Sequence, residues 1–301
     1  MTALSLAARA RLRLVALLGP ATLVIVGFFL VPMAIMALYS LLEPGLYGGV
    51  EWSFYPDNFG RILGWADGSN EEFDIVYLEI LLRSFKLAAI TVVLTLAVCY
   101  PAAFWVARQP ERRRNFFLFL ITLPFFTSLI VRLYAWVLIL RPTGFLNLAL
   151  QALGLADRPL NLIYSETAVL IGMTYIFIPF MFMPIYASVE KLDRKLLEAS
   201  ADLGASRWQS FWRIVFPLTL PGIAAGSIIV FIPSLGNFIV PSLLGGARVV
   251  MIGNLVEQQF LAARNWPFGA ALAMLIMAAM LVFLLLYVRW QSRSQSREGV
   301  A

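Results

Sequence analysis

The sequence predicts an all-α integral membrane protein with six transmembrane helices and a helical loop on the cytoplasmic side, and three observations carry that prediction. Of its 301 residues 61% are hydrophobic and 13% charged, against about 25% charged in an ordinary soluble domain. A soluble core of this composition would leave large apolar patches in water. Six stretches reach the roughly 20 mainly apolar residues that a bilayer core requires, and the basic residues fall unevenly on their two sides.

The spans are expected near residues 14–38, 84–107, 115–140, 167–188, 217–240 and 267–289 of one integral membrane domain, 1–301. The first is long and lacks an A-x-A cleavage site, so it reads as a retained span rather than a secretory signal. Arg9, Arg11 and Arg13 precede it; Arg108, Arg112, Arg113 and Arg114 fall in the second loop; Lys191, Arg194, Lys195, Arg207 and Arg213 in the fourth; and Arg289, Arg293 and Arg297 in the tail. Together these make fifteen of the 23 basic residues. The positive-inside rule then places both termini and loops two and four in the cytoplasm. The first external loop, about 39–83, is the longest connection and carries Glu43, Glu51, Asp57, Asp67, Glu71, Glu72, Asp74 and Glu79. Solvation accounts for these acids more simply than a docking surface does.

Composition also excludes chemistry. There is no histidine, and the one cysteine, Cys99, lies inside an apolar run. Disulfides, the usual metal sites and histidine-based catalysis are therefore not expected. The net charge of +6 comes from arginines scattered among short loops. A nucleic-acid site would need them clustered on a polar face.

The cytoplasmic loop, about 189–216, reads EASADLGASRWQSFWRIVFP over 198–217. Leu192, Leu196, Ala199 and Leu203 recur at helical spacing, with Lys191, Arg194, Lys195, Glu198 and Asp202 on the other side, the pattern of a short amphipathic helix. Gly204 supplies a hinge or C-cap position. Ser206 and Gln209 have capping-box spacing, so a second helix starts there, with Trp208, Phe211, Trp212 and Val215 as its apolar face. Pro217 and Pro221 are expected to break or kink the chain as the next span begins. By physics alone this loop is either an interfacial anchor or a lever that passes force to the fifth span.

Glu198, Ala199 and Ser200, then Gly204, Ile214 and Pro217, resemble the EAA-x3-G-x9-I-x-L-P signature of ABC importer permeases. Every spacing is kept; Ser200 replaces the second Ala and Phe216 the Leu. The resemblance implies a type I importer permease fold in which Glu198, Ala199, Ser200, Asp202, Leu203, Gly204 and Ala205 form a coupling helix seated in an ATPase subunit. None of the three lysines follows a G-x-x-x-x-G-K-[ST] loop. This chain is thus expected to be a transport subunit and not an enzyme, with ATP and magnesium bound by the partner.

The blocks at 131–147, 178–206, 231–254 and 264–271, including VRLYAW, FIPSLGNFIVPSLLGG and RNWPFGAA, are similar to the spermidine/putrescine permeases, in particular the first of their two paired membrane subunits. The similarity covers about 75–290. It implies a bacterial inner-membrane heterodimer of two permeases, an ATPase dimer inside and a periplasmic binding protein outside.

Three positions depart from that pattern: Asn237, Ser242 and Asn265 stand where polyamine permeases commonly carry acids. A dication in a low-dielectric interior calls for carboxylates or a ring of acceptors. Either the partner subunit or backbone carbonyls line the path and the binding protein sets specificity, or the cargo is a less cationic amine, an amino acid or an organic anion. Arg132 is the one charge well inside the expected spans, open to a functional reading or to carbonyl bonding and stacking on Tyr134 or Trp136. Pro179, Pro184, Pro221, Pro233 and Pro241 are expected to interrupt the fourth and fifth spans. The pathway is placed there, with Phe231, Ser234, Asn237, Phe238 and Ser242 as lining residues beside Arg132, Tyr134 and Trp136. Gly222 and Gly226 are expected to permit close helix packing. An ion-driven secondary transporter would want buried carboxylates and inverted repeats, and neither is evident.

Overall fold

The computed structural model describes residues 6–65 and 73–298; Asp67, Glu71 and Glu72 of the acidic loop lie outside the described residues. Two compact units emerge, one made of the chain up to Asp74 with Gln258–Met277, the other of Ile75–Glu257 with Ala278 onward.

In the first unit α1 (Leu6–Tyr39) runs through Pro20 and Pro32. It leads into an antiparallel hairpin of β1 (Leu42–Pro44) and β2 (Val50–Phe54), then α2 (Asp57–Ile62). The hairpin is a departure from the all-α expectation. The buried Asn58 amide fixes it by donating to the carbonyls of Ser40, Leu42 and Tyr55 at 3.1, 2.9 and 3.2 Å. An apolar residue there would leave these carbonyls without that donor.

The second unit is built on α3 (Val76–Ala107), α7 (Glu166–Glu190) and α10 (Phe216–Leu235). α7 is buried on most of its circumference, and Met173, Met181, Phe182 and Ile185 meet Leu87, Ala103 and Val230 in the core. Helices in a bilayer gain little from apolar burial against one another, so close packing and interhelical hydrogen bonds hold them. Tyr100 of α3 and Thr219 of α10 are hydroxyl partners at 2.9 Å. A Cβ at Gly222 would meet Ser188 and the Pro184 carbonyl, and one at Gly226 would meet Met181. These two glycines set the approach of α10 to α7, as their spacing predicts.

The remaining helices are α4 (Glu111–Thr122), α5 (Leu129–Leu140), α6 (Phe145–Ala152), α8 (Arg194–Asp202), α9 (Arg207–Ser210), α11 (Ile252–Leu261) and α12 (Trp266–Glu298). Six segments among the described residues are long and apolar enough to cross a bilayer: Leu14–Tyr39, Val76–Ala107, Leu129–Ala152, Glu166–Glu190, Arg207–Leu235 and Trp266–Arg289. Three expectations require correction. The second span begins at Val76 rather than 84, because VYLEILL is already helical. The single helix expected over 115–140 is broken: α4 ends in a 3-10 turn at Leu123–Phe126, where Pro124 cannot donate to the helix ladder.

The third correction concerns the prolines. α7 passes through Pro179 and Pro184, and α10 through Pro221 and Pro233, without losing helical form. α9 continues into α10 by a π-turn at Phe211–Val215, in which the Phe216 N–H donates to the Phe211 carbonyl. Widening the turn there makes room before the Pro217 ring, which would clash with the preceding turn of a regular helix. The fifth span is therefore a rod from Arg207 to Leu235, interrupted only beyond Gly236, before Pro241 opens a second π-turn.

Candidate functional site

The corner between α8 and α9 is made by local signals. Asp193 caps α8, its Oδ1 accepting from the Lys195 N–H at 3.0 Å. At the other end the N–H groups of Gly204 and Ala205 donate to Ala201 and Ser200 at 2.9 and 3.0 Å, with Gly204 at φ +81°. This is a Schellman cap, whose left-handed residue is readily supplied by glycine. Ser206 and Gln209 then bond reciprocally, at 2.9 and 3.3 Å, in the expected capping box. Trp208 and Trp212 stand exposed while Val215 is buried, and Phe211 rests edge-on against Tyr100 at 5.9 Å.

The apolar stripe of α8 lies outward: Leu196, Ala199 and Leu203 are exposed, Leu203 by 88%. Leu197 and Ser200 turn inward instead. Ser200, the residue that departs from the signature, donates to the Leu197 carbonyl at 2.8 Å or shares a hydroxyl bond with Ser210, also at 2.8 Å. That second bond ties α8 to the start of the long rod across the Gly204 corner. Helical spacing identified an apolar stripe but carried no information on which side the protein would cover. Glu198 and Asp202 are exposed with Ala199 and Leu203, and Ala205 is half-buried. The outer face thus offers apolar and acidic groups together, exposed among the described residues.

The expected pathway residues have different surroundings. Arg132 lies 5.9 Å from the ring centre of Tyr175 on α7, rather than on Tyr134 or Trp136, and its buried Nε has no hydrogen-bond partner among the described residues. Trp136 meets the same Tyr175 ring at 5.7 Å, while Tyr134 is exposed. Tyr175 is the residue that the sequence did not single out, since its partners are more than a helix away along the chain. Phe231 is packed between Phe85 and Phe283 at 6.0 and 4.7 Å. Ser234 is fully buried and donates to the Val230 carbonyl of its own helix at 2.6 Å, so it lines nothing in this conformation. Phe238 and Ser242 are exposed beyond the end of α10.

The departures at Asn237 and Asn265 acquire a physical account. Each is a cap: Asn237 Oδ1 accepts from the Val240 N–H at 2.9 Å and Asn265 Oδ1 from the Phe268 N–H at 3.0 Å. Aspartate caps as well as asparagine does. Either residue type therefore keeps the turn, and the asparagine removes charge without removing structure. Asn265→Asp is expected to leave the unfolding temperature unchanged, and Asn265→Leu to cost about 1 kcal/mol, as read by thermal unfolding in detergent.

At the membrane ends of α7, Glu166 faces Lys86 at 3.3 Å and Arg83 at 3.7 Å. Glu190 pairs with Arg114 at 3.0 Å and accepts from the Tyr186 hydroxyl at 2.9 Å.

With this geometry in hand, residues 99–297 match the profile of the family described as binding-protein-dependent transport system inner membrane component. The spermidine/putrescine transport system permease protein PotB of Escherichia coli strain K12 is 43% identical over 240 residues, covering 80% of this chain and 84% of that protein. The protein of the same name from Haemophilus influenzae is 39% identical over 217 residues, with 72% and 76% covered. A crystal structure of a bacterial alginate ABC transporter, in complex with a periplasmic protein bound to alginate pentasaccharide, superposes with a TM-score of 0.74. It covers 95% of this chain and 96% of that one at 18% identity, a likeness of fold.

Proposed function

Because this chain belongs to the family of binding-protein-dependent transport system inner membrane components, we propose that it is the first of two paired permease subunits in a bacterial inner-membrane importer of spermidine- or putrescine-like polyamines. The observation that carries the coupling part is the Schellman corner at Gly204. It joins a helix with an uncovered outer face to a rod running unbroken from Arg207 to Leu235. An ATPase dimer inside seats α8, a periplasmic binding protein docks outside, and closure of the ATPase moves α8 and the fifth span as one lever, opening the path alternately to each side. ATP and magnesium belong to the ATPase, and this chain is the transport subunit. Both termini lie in the cytoplasm.

Identity to the polyamine permeases supports the cargo, and aromatic faces such as those of Trp136 and Tyr175 suit ammonium groups. One observation favours a second reading: the buried Arg132 Nε, a donor without a partner, would suit a cargo that brings a carboxylate or other acceptor. Calorimetry of the cognate binding protein against polyamines, amino acids and organic anions separates the two. Tight binding of spermidine or putrescine alone is the expected result, and tight binding of anions alone would remove the polyamine reading.

A further inference from the structure

Behind α8, on the side away from its uncovered face, lies a recess of about 570 Å³ walled by Phe104, Arg108, Leu197, Arg207, Phe211 and Val215 among others. A second hollow of about 250 Å³ shares Phe104, Arg108 and Leu197 with it and adds Arg114 and Glu190. Arg108 and Arg207 thus line the first hollow, and Arg108, Arg114 and Glu190 the second. The Arg108 guanidinium lies over the Phe104 ring, 3.9 Å from its centre, which fixes its direction. Arg114 spends one nitrogen on Glu190 at 3.0 Å, and its Nε is buried with no partner.

We propose that this recess binds a phosphate-bearing anion, and that its occupant is the headgroup of an anionic phospholipid. Guanidinium forks match phosphate oxygens in pairs, and in the adjoining hollow the buried Arg114 Nε, a donor with no partner among the described residues, favours an acceptor arriving beside it. Two features select a lipid over free phosphate. The recess sits at the ends of the membrane-crossing segments Val76–Ala107 and Arg207–Leu235, the depth at which headgroups lie. Its floor of Phe104, Phe211 and Val215 is apolar, a surface for glycerol and the first acyl carbons that inorganic phosphate would leave uncovered. Basic recesses between helix ends on the cytoplasmic side hold such headgroups by this combination. Because Ala201, Ala205 and Ser210 share the wall, an occupied recess braces the corner between α8 and α9. The site is independent of what the importer carries.

The test uses the complete importer in nanodiscs of phosphatidylcholine with and without phosphatidylglycerol, with retained lipid counted by native mass spectrometry. Phosphatidylglycerol is expected to stay bound to the wild type, and Arg108→Gln with Arg207→Gln to weaken retention about fivefold for each arginine removed. The corresponding lysine pair, which keeps the charge, should lose less. Thermal unfolding in phosphatidylcholine alone verifies that each variant is folded. Equal retention by the folded glutamine pair and the wild type overturns the proposal. Inorganic phosphate that displaces the lipid and stabilises the protein equally in phosphatidylcholine overturns the lipid assignment.

Discussion

Gly204→Pro is expected to abolish uptake and substrate-stimulated ATP hydrolysis in reconstituted vesicles while the protein still inserts. The Gly204 backbone sits at φ +81°, where proline, held near −65°, cannot go. The substitution also removes the N–H that donates to the Ala201 carbonyl at 2.9 Å. A local cost of about 3 kcal/mol or more follows, enough to turn α8 away from its capped direction without disturbing the packing of α3, α7 and α10. Gly204→Ala, strained by only ~1–2 kcal/mol, should keep part of the activity. Glu198→Lys attacks the same function from the exposed face and should uncouple hydrolysis from transport with no change in thermal stability. Normal transport by Gly204→Pro and Glu198→Lys together would sink the coupling role of α8.

Gly222→Val is expected to lower thermal stability, and uptake with it. A Cβ at Gly222 meets Ser188 and the Pro184 carbonyl of α7. Overpacking usually costs about 1–3 kcal/mol because side chains shift. Here one neighbour is backbone and cannot rotate aside, so the cost lies at or above the top of that range. Gly226→Val is the comparison, since its nearest neighbour is the Met181 sulfur, and methionine adapts to a new shape. Unfolding temperatures in detergent measured side by side should therefore rank wild type, Gly226→Val and Gly222→Val in falling order. Equal values for wild type and Gly222→Val would mean that α7 and α10 lie further apart than the structure places them.

The contrast between these two glycines and Gly204 shows how much could be read before any coordinates. The corner at Gly204 is written in neighbouring residues: Asp193 before a helical pattern, glycine after it, then Ser206 with Gln209 three positions on. Each acts through bonds no more than five residues long, so the sequence states them directly. Gly222 and Gly226 announced a close approach by their spacing but not the neighbour approached. The prolines misled in the opposite direction. Their local tendency to break a helix is real, but α7 and α10 are held on several sides by packing partners, and a π-turn before Pro217 absorbed the misfit.

Burial in a membrane protein is where sequence reasoning loses its grip. In water an apolar stripe points to the core, whereas in a bilayer lipid and neighbouring helices accept the same side chains. The composition, the six spans, the capped corner and the resemblance carried by Glu198, Ala199, Gly204 and Pro217 were determined by the sequence itself, because each rests on local chemistry or on length. Only the tertiary structure decided that Ser200 rather than Leu196 or Leu203 turns inward, that Arg132 faces Tyr175, and that Arg108, Arg114 and Arg207 gather behind one helix. Arg132 and Tyr175, like Arg108 and Arg207, are tens of positions apart in the chain, and it is the packing of α3, α7 and α10 that brings their surroundings together.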